Sequence, residues 1–427
     1  SAASDVYKRQ LLECAGPNTD RIRRALGQAL RANPQLMAKF GVDSTGRFTQ
    51  TFPISAIDMD EISIHEVASA QEAREICWMK AAVPFNLEEG PAIAVDEIRI
   101  NGYSTWFVLT MNEILIDGWG AMKFMEQLIS LFKCRNMDDQ EIEVKTAMTS
   151  VLEYFQHLSK PKEISAEARK FWSKSLDGVK SCFPLRDTLN NSCDPYAASV
   201  IEVSLDDEAT AEIRSTAHAL STSPFAVFVA AYSLALAAVS DQHDFVVGAP
   251  VAGRNDEYEI GVPTLMLNMI AIRTRIDVEK KISDTVRSMI SNVTEAVSFG
   301  DSVFSKVVSE FADHTNEDPL FSTMVNMLTY PSLEFWDGDR SLHLTELNTG
   351  FTKYDASLYI QRHGEDYTLQ LAYKVAYVTP ERANKVLALT AWFLTSDWLS
   401  GKTTVANAIK TALNDCDTSQ ITMLKSY

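Results

Sequence analysis

The stretch FVLTMNEILIDGWG, residues 107–120, decides the fold because it changes from one kind of local structure to another within a few residues. Its first part is rich in apolar and β-branched residues, which predicts a strand. After Asp117 and Gly118, apolar residues recur at helical spacing, which predicts a helix from about Trp119 to Lys133. A strand, a tight loop and a helix in this order are typical of an α/β protein.

The loop of this stretch offers few side chains for chemistry. Glu113 and Asp117 are its only acids, and Asn112 is its only side-chain amide. Loops at the ends of strands often present reactive side chains. Asp117 also has a purely structural interpretation, because an aspartate at this place can cap the helix while Gly118 relaxes the backbone. Taken by itself, the stretch leaves both interpretations open.

The sequence before and after this stretch extends the same pattern. Residues 19–40 predict a helix that ends at Asn33-Pro34, because proline cannot continue it. Residues 93–111 predict a hairpin that turns at Asn101-Gly102. Residues 148–176 predict a further helical region. The first half of the chain therefore alternates between strands and helices.

The second half restarts the pattern after an irregular segment. Residues 181–197, SCFPLRDTLNNSCDPYA, are rich in turn residues and have no periodicity. Strands are predicted at 199–205 and 245–251. We therefore predict an N-terminal lobe over 11–180, an inter-lobe linker over 181–198 and a C-terminal lobe over 199–420. Residues Ser1–Gln10 are polar, fit none of these elements and are interpreted as an assembly scar.

Composition and charge exclude several classes of function. The 427 residues carry a net charge of −18, and an acidic chain repels phosphate backbones, so no nucleic-acid partner is expected. The six cysteines form no CxxC pair, and no apolar run reaches the roughly 18 residues of a membrane helix. We therefore expect a cytoplasmic protein with no membrane partner. Because no metal-ligand spacing and no GxGxxG or P-loop sequence occurs, neither a metal nor a nucleotide site is expected.

The NEILIDG sequence, residues 112–118, is similar to a motif of a known family. Condensation domains of nonribosomal peptide synthetases carry the motif HHxxxDG between a strand and a helix. Asn112 and Glu113 stand at its two histidine positions, and Asp117 and Gly118 match its DG pair. The motif is therefore only half retained.

Other segments resemble the same family in the same order. They are ALRANPQLMAKF (29–40), PFNLEEGP (84–91), KFWSKSLDG (170–178), the segment 221–254 that ends in VGAPVAGR, GVPTLMLNMIAIR (261–273), SFGDSVFSKVV (298–308), DPLFSTMVNM (318–327) and KYDASL (353–358). Each match is weak alone, but together they cover nearly the whole chain. The N-terminal SxAQxRxWxL motif of the family is absent, as expected if the sequence begins inside the domain.

The resemblance implies a fold and a set of partners. Condensation domains have two chloramphenicol-acetyltransferase-like lobes in a V, with a tunnel between them and the motif loop at its middle. Donor and acceptor peptidyl carrier proteins dock at the two mouths and deliver substrates on phosphopantetheine arms. The resemblance thus implies no directly bound cofactor, carrier domains as partners, a flanking adenylation domain and a monomeric module.

The resemblance also assigns roles to particular residues. The second histidine of the motif is thought to accept or orient the proton of the attacking amine, so Glu113, with Asn112, is the catalytic candidate. The aspartate of the motif pairs with an arginine to hold the loop, which makes Asp117, Gly118 and Trp119 structural. The arginines of the family's early motif fall on Ala32 and Met37, so Arg254 or Arg273 would have to replace them. We predict that Asp117 is paired and that Glu113 faces the tunnel.

The lining of the tunnel is the least defined part of the site. Its candidates are Asn268, Arg254, Arg273 and Ser357, which lie in or beside the matched segments. Histidines offer no obvious replacement for the motif pair, since His65 and His157 are expected at the surface. His314 and His343 could reach a tunnel only through folding.

Three functions remain open at this point. A carboxyl group in a desolvated tunnel can have its pKa raised, so a glutamate at position 113 could act as a base or anchor the attacking ammonium in altered or reduced amide formation. Alternatively, the domain no longer condenses and instead recruits or gates partner enzymes, as some relatives of condensation domains do. The third function is another acyl transfer, including heterocyclization. The heterocyclization motif DxxxxDxxS would place Asn112, Asp117 and Gly120 at its fixed positions, of which only Asp117 matches.

Overall fold

The computed structural model describes most of the chain. Outside the described residues lie 1–6, 16–18, 53–56, 82–84, 103, 135, 159–162, 188, 191–192, 255, 313–318, 329–333, 338–339, 347–349, 351, 396–401 and 425–427. In the first half the elements are β1 (Tyr7–Ala15), α1 (Thr19–Ala32), β2 (Lys39–Val42), β3 (Phe48–Thr51), β4 (Ser63–Val67), α2 (Ala70–Ala81), β5 (Ile93–Ile100), β6 (Ser104–Asn112), α3 (Gly118–Lys133), α4 (Met137–His157) and α5 (Ala166–Leu176).

The second half repeats the alternation of strands and helices. Its elements are β7 (Ala198–Ser204), α6 (Asp207–Ala219), α7 (Pro224–Ser240), β8 (Asp244–Val251), α8 (Glu257–Ile260), β9 (Asn268–Arg275), α9 (Ile282–Ser298), α10 (Phe304–Phe311), β10 (Thr323–Leu328), β11 (Glu334–Asp337), β12 (Arg340–Glu346), β13 (Ala356–His363), β14 (Asp366–Lys374), α11 (Pro380–Thr395), α12 (Val405–Asp415) and β15 (Thr422–Leu424). The predicted α/β class is confirmed.

Two large sheets organise most of these elements, and β2 and β3 form a separate two-stranded sheet. The first has the strand order β11-β12-β1-β6-β5-β4, and the second has the order β15-β7-β14-β13-β10-β8-β9. Helices α1 and α3 bury apolar residues such as Leu26 and Phe124 against one face of the first sheet. Helix α2 covers the other face with Ala73 and Cys77. The first sheet thus carries helices on both of its faces.

The core beside the second sheet is built around helix α7. This helix is apolar on all sides, and its described residues from Ala226 to Ala237 are buried. Such a helix has to lie inside a core, because it has no polar face to turn to water. No single helix of the described residues is long and apolar enough to cross a membrane. Helices α6 and α7 pass that test only as a pair, bent by 110° between them.

Two strands cross from the second half of the chain into the first sheet. Strand β12 pairs antiparallel with β1, and β11 continues the sheet beyond it. The range predicted for the C-terminal lobe, 199–420, therefore also contributes strands to the first sheet. The sequence could not show this, because a short strand carries no signal for which sheet it joins.

The prediction that residues 1–10 fit none of the elements is wrong for residues 7–10. Strand β1 begins at Tyr7 and pairs with β6 along its whole length, from Tyr7 opposite Asn112 to Ala15 opposite Ser104. Residues 7–10 thus belong to a central strand of the first sheet. Strand pairing uses backbone groups, so polar side chains in this segment do not prevent it.

Two local predictions around the motif are confirmed, and a third is wrong in part. Helix α1 ends at Ala32, just before Asn33-Pro34, and the hairpin β5–β6 turns at Asn101 and Gly102 with φ values of 49° and 70°. Such positive φ values suit glycine and asparagine best. The single helical region predicted at 148–176 is in fact the end of α4 followed by α5.

Candidate functional site

Asp117 is the most heavily bonded side chain of the loop between β6 and α3. It is the N-cap of α3, and its carboxylate accepts five hydrogen bonds: from the amides of Gly120 (2.7 Å), Met266 (2.8 Å) and Leu267 (2.9 Å), and from Nη1 (2.8 Å) and Nη2 (3.0 Å) of Arg254. The side chains of Asp117 and Arg254 are only 3% and 2% exposed. The predicted pairing of Asp117 with an arginine is confirmed.

Arg254 takes the place of an arginine that the first half of the chain lacks. Ala32 and Met37, at the family's arginine positions, are buried in the first core instead. Arg254 also donates to the carbonyls of Ala252 (3.1 Å) and Thr264 (2.9 Å). Both Nη groups of Arg254 are thus bonded, and removing one partner of such a buried pair is costly because the other charge is left uncompensated. The loop is therefore held by a residue of the second half.

Two glycines allow the segment between β8 and β9 to come this close. Gly253 has a φ of +65°, and a Cβ on it would lie 1.9 Å from the carbonyl oxygen of Met266. A Cβ on Gly120 would lie 2.7 Å from the carbonyl oxygen of Thr264. A serine at position 120, as the heterocyclization motif requires, therefore has no room. The glycine of the VAGR sequence is the sequence signal for this close approach.

Further contacts join the two halves beside the loop. The Leu115 carbonyl accepts hydrogen bonds from the amide of Leu265 (3.0 Å) and from the hydroxyl of Thr264 (3.3 Å). Trp119 donates its indole N–H to the Ile260 carbonyl at 3.0 Å. These contacts place the loop where the two halves meet.

Asn112 shapes the loop through its own side chain. It is the last residue of β6 and is buried. Its Oδ1 accepts the amide of Ile114 at 3.0 Å, and its carbonyl accepts the amide of Leu115 at 3.0 Å. These two bonds form a tight turn around Glu113. The side chain of Asn112 is therefore engaged in fixing the turn.

Glu113 sits at the tip of this turn, between two residues whose backbones are fixed. Its side chain is half-buried, unlike the fully buried Asp117. Tyr354 of the second half lies within electrostatic range of Glu113. Burial, together with the negative charge of Glu113, raises the pKa of the Tyr354 phenol to about 12. The Tyr354 ring packs against Phe321 with centroids 5.5 Å apart. The charge of Glu113 is thus felt by an aromatic residue of the second half, and sequence reasoning did not single out Tyr354.

The other candidates for the tunnel lining have their polar groups engaged elsewhere. Asn268 donates to the carbonyls of Gly300 (2.8 Å) and Ser302 (2.6 Å) and accepts the amide of Phe304 (3.2 Å). Ser357 is buried, and its hydroxyl lies 3.3 Å from that of Thr352.

Arg273 lies in a different environment from the loop. It forms two bonds of 2.7 Å with Asp244, caps the carbonyls at the end of α5 and borders a surface cleft of about 530 Å³ between α5 and α9. Of the two arginines considered, only Arg254 contacts Asp117. Arg273 pairs with Asp244 instead.

Histidines do not replace the motif pair in the part of the chain that the structure describes. His65 lies 3.2 Å from Asp96, on the far edge of the first sheet, and His157 stacks on Tyr258 with ring centroids 4.1 Å apart. His314 lies outside the described residues, as does the side chain of His343. Among the described residues, no group of three or more acids, cysteines and histidines could hold a metal ion.

Comparison with curated proteins identifies similar synthases. The chain is 22% identical over 313 residues to bacitracin synthase 1 of Bacillus licheniformis, covering 71% of this chain and 6% of that protein. It is 21% identical over 340 residues to tyrocidine synthase 3 of Brevibacillus parabrevis, covering 79% of this chain and 5% of that protein. The chain thus spans less than a tenth of the length of these two relatives.

Solved structures with the same fold include both condensation domains and related domains. The first condensation domain of the calcium-dependent antibiotic synthetase, in complex with a substrate analogue, matches with a TM-score of 0.68 at 15% identity, over 95% of this chain and 94% of that chain. The X-domain from teicoplanin biosynthesis matches with a TM-score of 0.71 at 12% identity, over 97% and 92%. At these identities the likeness shows the fold alone.

The family model gives the assignment itself. The model described as "Condensation domain" matches residues 12–387, which is most of the chain. The match includes the β6–α3 loop, the Arg254 segment and most strands of both large sheets. The chain belongs to the condensation domain family.

Proposed function

We propose that this domain forms amide bonds between a carrier-bound acyl or peptidyl thioester and an acceptor amine, with Glu113 in the position of the base. The observation that carries the proposal is the set of bonds on Asp117. These bonds hold the loop where the two halves meet, and they do so without either histidine of the motif. Catalysis depends on fixed geometry, so a loop whose conformation is fixed supports a catalytic role for Glu113.

The chemistry assigned to Glu113 is proton transfer. The amine nitrogen attacks the thioester carbonyl carbon, and a C–N bond forms while the C–S bond breaks. The proton that the nitrogen loses passes to the Glu113 carboxylate, and the released sulfur takes up a proton to leave as a thiol. General-base help of this kind typically contributes 10²–10⁴-fold to a rate. Since a thioester is already activated, some reaction remains without it.

The proposal includes the partners and setting of the domain. Donor and acceptor carrier domains deliver the substrates on phosphopantetheine arms, and the domain itself binds no cofactor. An adenylation domain is the flanking module, and the domain is a monomeric part of a cytoplasmic synthetase. The relatives, which are large synthases matched over a small fraction of their length, support this setting.

A second candidate function is recruitment or gating of partner enzymes on a carrier-bound peptide. The observation that favours it is the loss of both motif histidines, replaced by Asn112 and Glu113. Asn112 uses its side chain to shape the turn, so only Glu113 is left as a proton acceptor in the motif. In this function the loop would be retained for stability, and the domain would bind carriers without joining their substrates.

Amide formation from loaded carriers distinguishes the two functions. We expect wild type to form product and Glu113→Gln to form it about 10²-fold more slowly, because the amide keeps the shape but accepts no proton. Product is measured by mass spectrometry, with carrier binding measured in parallel. No product from wild type, with carrier binding intact in both proteins, would favour recruitment. Equal rates in both proteins would remove the role of Glu113 as base.

A further inference from the structure

Three large apolar side chains beside Glu113 remain accessible although their backbones are fixed. Ile114, Leu265 and Leu267, called here the apolar rim, are 38%, 41% and 37% exposed. Ile114 follows Glu113 directly, and its amide is bonded to Asn112. An exposed apolar patch can mark a binding site, whereas apolar side chains exposed singly are ordinary.

Backbone contacts bring the rim together from both halves of the chain. The amide of Leu265 donates to the Leu115 carbonyl at 3.0 Å, which sets Leu265 next to the loop. The amide of Leu267 donates to Asp117 at 2.9 Å. Met266, between them, packs into a small core with Tyr154 and Val262, so the chain turns Met266 inward and leaves both leucines accessible. The rim therefore lies beside the turn that carries Glu113.

The combination of a carboxylate and an apolar rim selects one kind of ligand. A carboxylate attracts an amine and repels a second carboxylate. Accessible leucine and isoleucine side chains favour an apolar group, since removing such groups from water is favourable. We propose that the apolar rim is the subsite for the side chain of the acceptor, and that the acceptor is an amine with a large apolar side chain and no acid near the nitrogen. This inference rests on the proposed function, because it assigns the acceptor of the same site.

Binding of small thioesters tests the inference without requiring turnover. Leucine and asparagine have side chains of similar shape but opposite polarity, so leucyl and asparaginyl thioesters of N-acetylcysteamine are matched probes. We expect wild type to bind the leucyl probe about tenfold more tightly, as measured by NMR titration. Leu265→Asn and Leu267→Asn should lose this preference. Leu413→Asn is the matched control, because Leu413 is a 36% exposed leucine on the distant helix α12, and it should keep the preference.

Three results would overturn the inference. One is equal binding of both probes by wild type, and another is an unchanged preference in both rim variants. The third is that the rim variants lose carrier binding instead of probe preference, which would make the rim a carrier-docking surface. Correct folding of each variant is checked by its thermal unfolding, since exposed positions should tolerate asparagine.

The same panel separates this inference from the proposed function. If wild type prefers the leucyl probe through the rim but forms no amide, the subsite stands and the proposed reaction fails. If wild type forms amide at equal rates with leucyl and asparaginyl acceptors, the reaction stands and the subsite fails.

Discussion

Asp117 and Glu113 are two carboxylates of one loop, yet their surroundings differ in kind. Asp117 is almost fully buried and accepts hydrogen bonds from an arginine and three backbone amides. Glu113 is half-buried at the tip of a turn and lies within electrostatic range of the aromatic residue Tyr354. We call Asp117, Arg254 and the backbone amides of Gly120, Met266 and Leu267 the frame of the site, and Glu113 lies outside this frame. The frame includes Asp117, which matches the aspartate of the family's DG pair, whereas Glu113 stands at the position of the motif's second histidine.

The largest expected effect comes from breaking the frame. Asp117→Ala should lower the free energy of unfolding by about 3–5 kcal/mol, because it leaves Arg254 buried without its partner. Glu113→Gln, in the same loop, should lower it by less than about 1 kcal/mol, since a half-buried side chain keeps its shape. Urea denaturation measures both.

The ion pair of Arg169 with Glu310 provides a control for this comparison. Its side chains are 45% and 34% exposed. Arg169→Ala should cost less than about 1 kcal/mol, as is usual for exposed pairs. Equal losses for Asp117→Ala and Arg169→Ala would show that the buried pair does not hold the loop.

A smaller effect is expected at the contact between helix α3 and the segment before β9. Gly120→Ala should cost about 1–3 kcal/mol, because the new methyl group would lie 2.7 Å from the Thr264 carbonyl oxygen. Gly261→Ala is the matched control, since a Cβ there meets no atom within 4 Å, and its effect should be near zero. The midpoints of thermal unfolding rank the two variants. Indistinguishable midpoints would mean that the two segments can move apart without cost.

The smallest effect concerns the charge of Glu113. Glu113 raises the pKa of Tyr354, so Glu113→Gln should lower that pKa from about 12 toward, but not to, the ordinary value of 10.0, because the contribution of burial remains. The change is read from phenolate absorbance in an alkaline titration, with Tyr354→Phe to assign the signal. An unchanged titration in Glu113→Gln would place the carboxylate too far from Tyr354 to sense it.

The sequence predicts local structure around the motif well and long-range pairing less well. The turn at Asn101-Gly102, the end of α1 before Pro34 and the capping role of Asp117 depend on neighbouring residues, and all three are confirmed. The pairing of β12 with β1 depends on backbone groups far apart in the chain. No local sequence pattern indicates which distant strand a given strand pairs with.

The candidate site shows the same division between local and distant signals. The sequence offers both Arg254 and Arg273 as partners of Asp117. Only the folded geometry distinguishes them, because Arg254 pairs with Asp117 whereas Arg273 pairs with Asp244. Tyr354 and the leucines at 265 and 267 were not singled out, because apolar and aromatic residues are usually part of a core. Their place beside the loop follows from the contacts between the two halves.

The central claim is that the frame is intact and that the motif differs from the family's at Asn112 and Glu113, and restoring both histidines tests it most directly. The double variant Asn112→His, Glu113→His is compared with wild type for amide formation from the same loaded carriers, followed by mass spectrometry. We expect the double variant to fold and to form product at least as fast as wild type, because a neutral imidazole is an effective base near neutral pH. A folded double variant that forms no product, while wild type does, would contradict the claim. So would the absence of product from both proteins, because an intact frame carrying the family's own histidines should support the reaction.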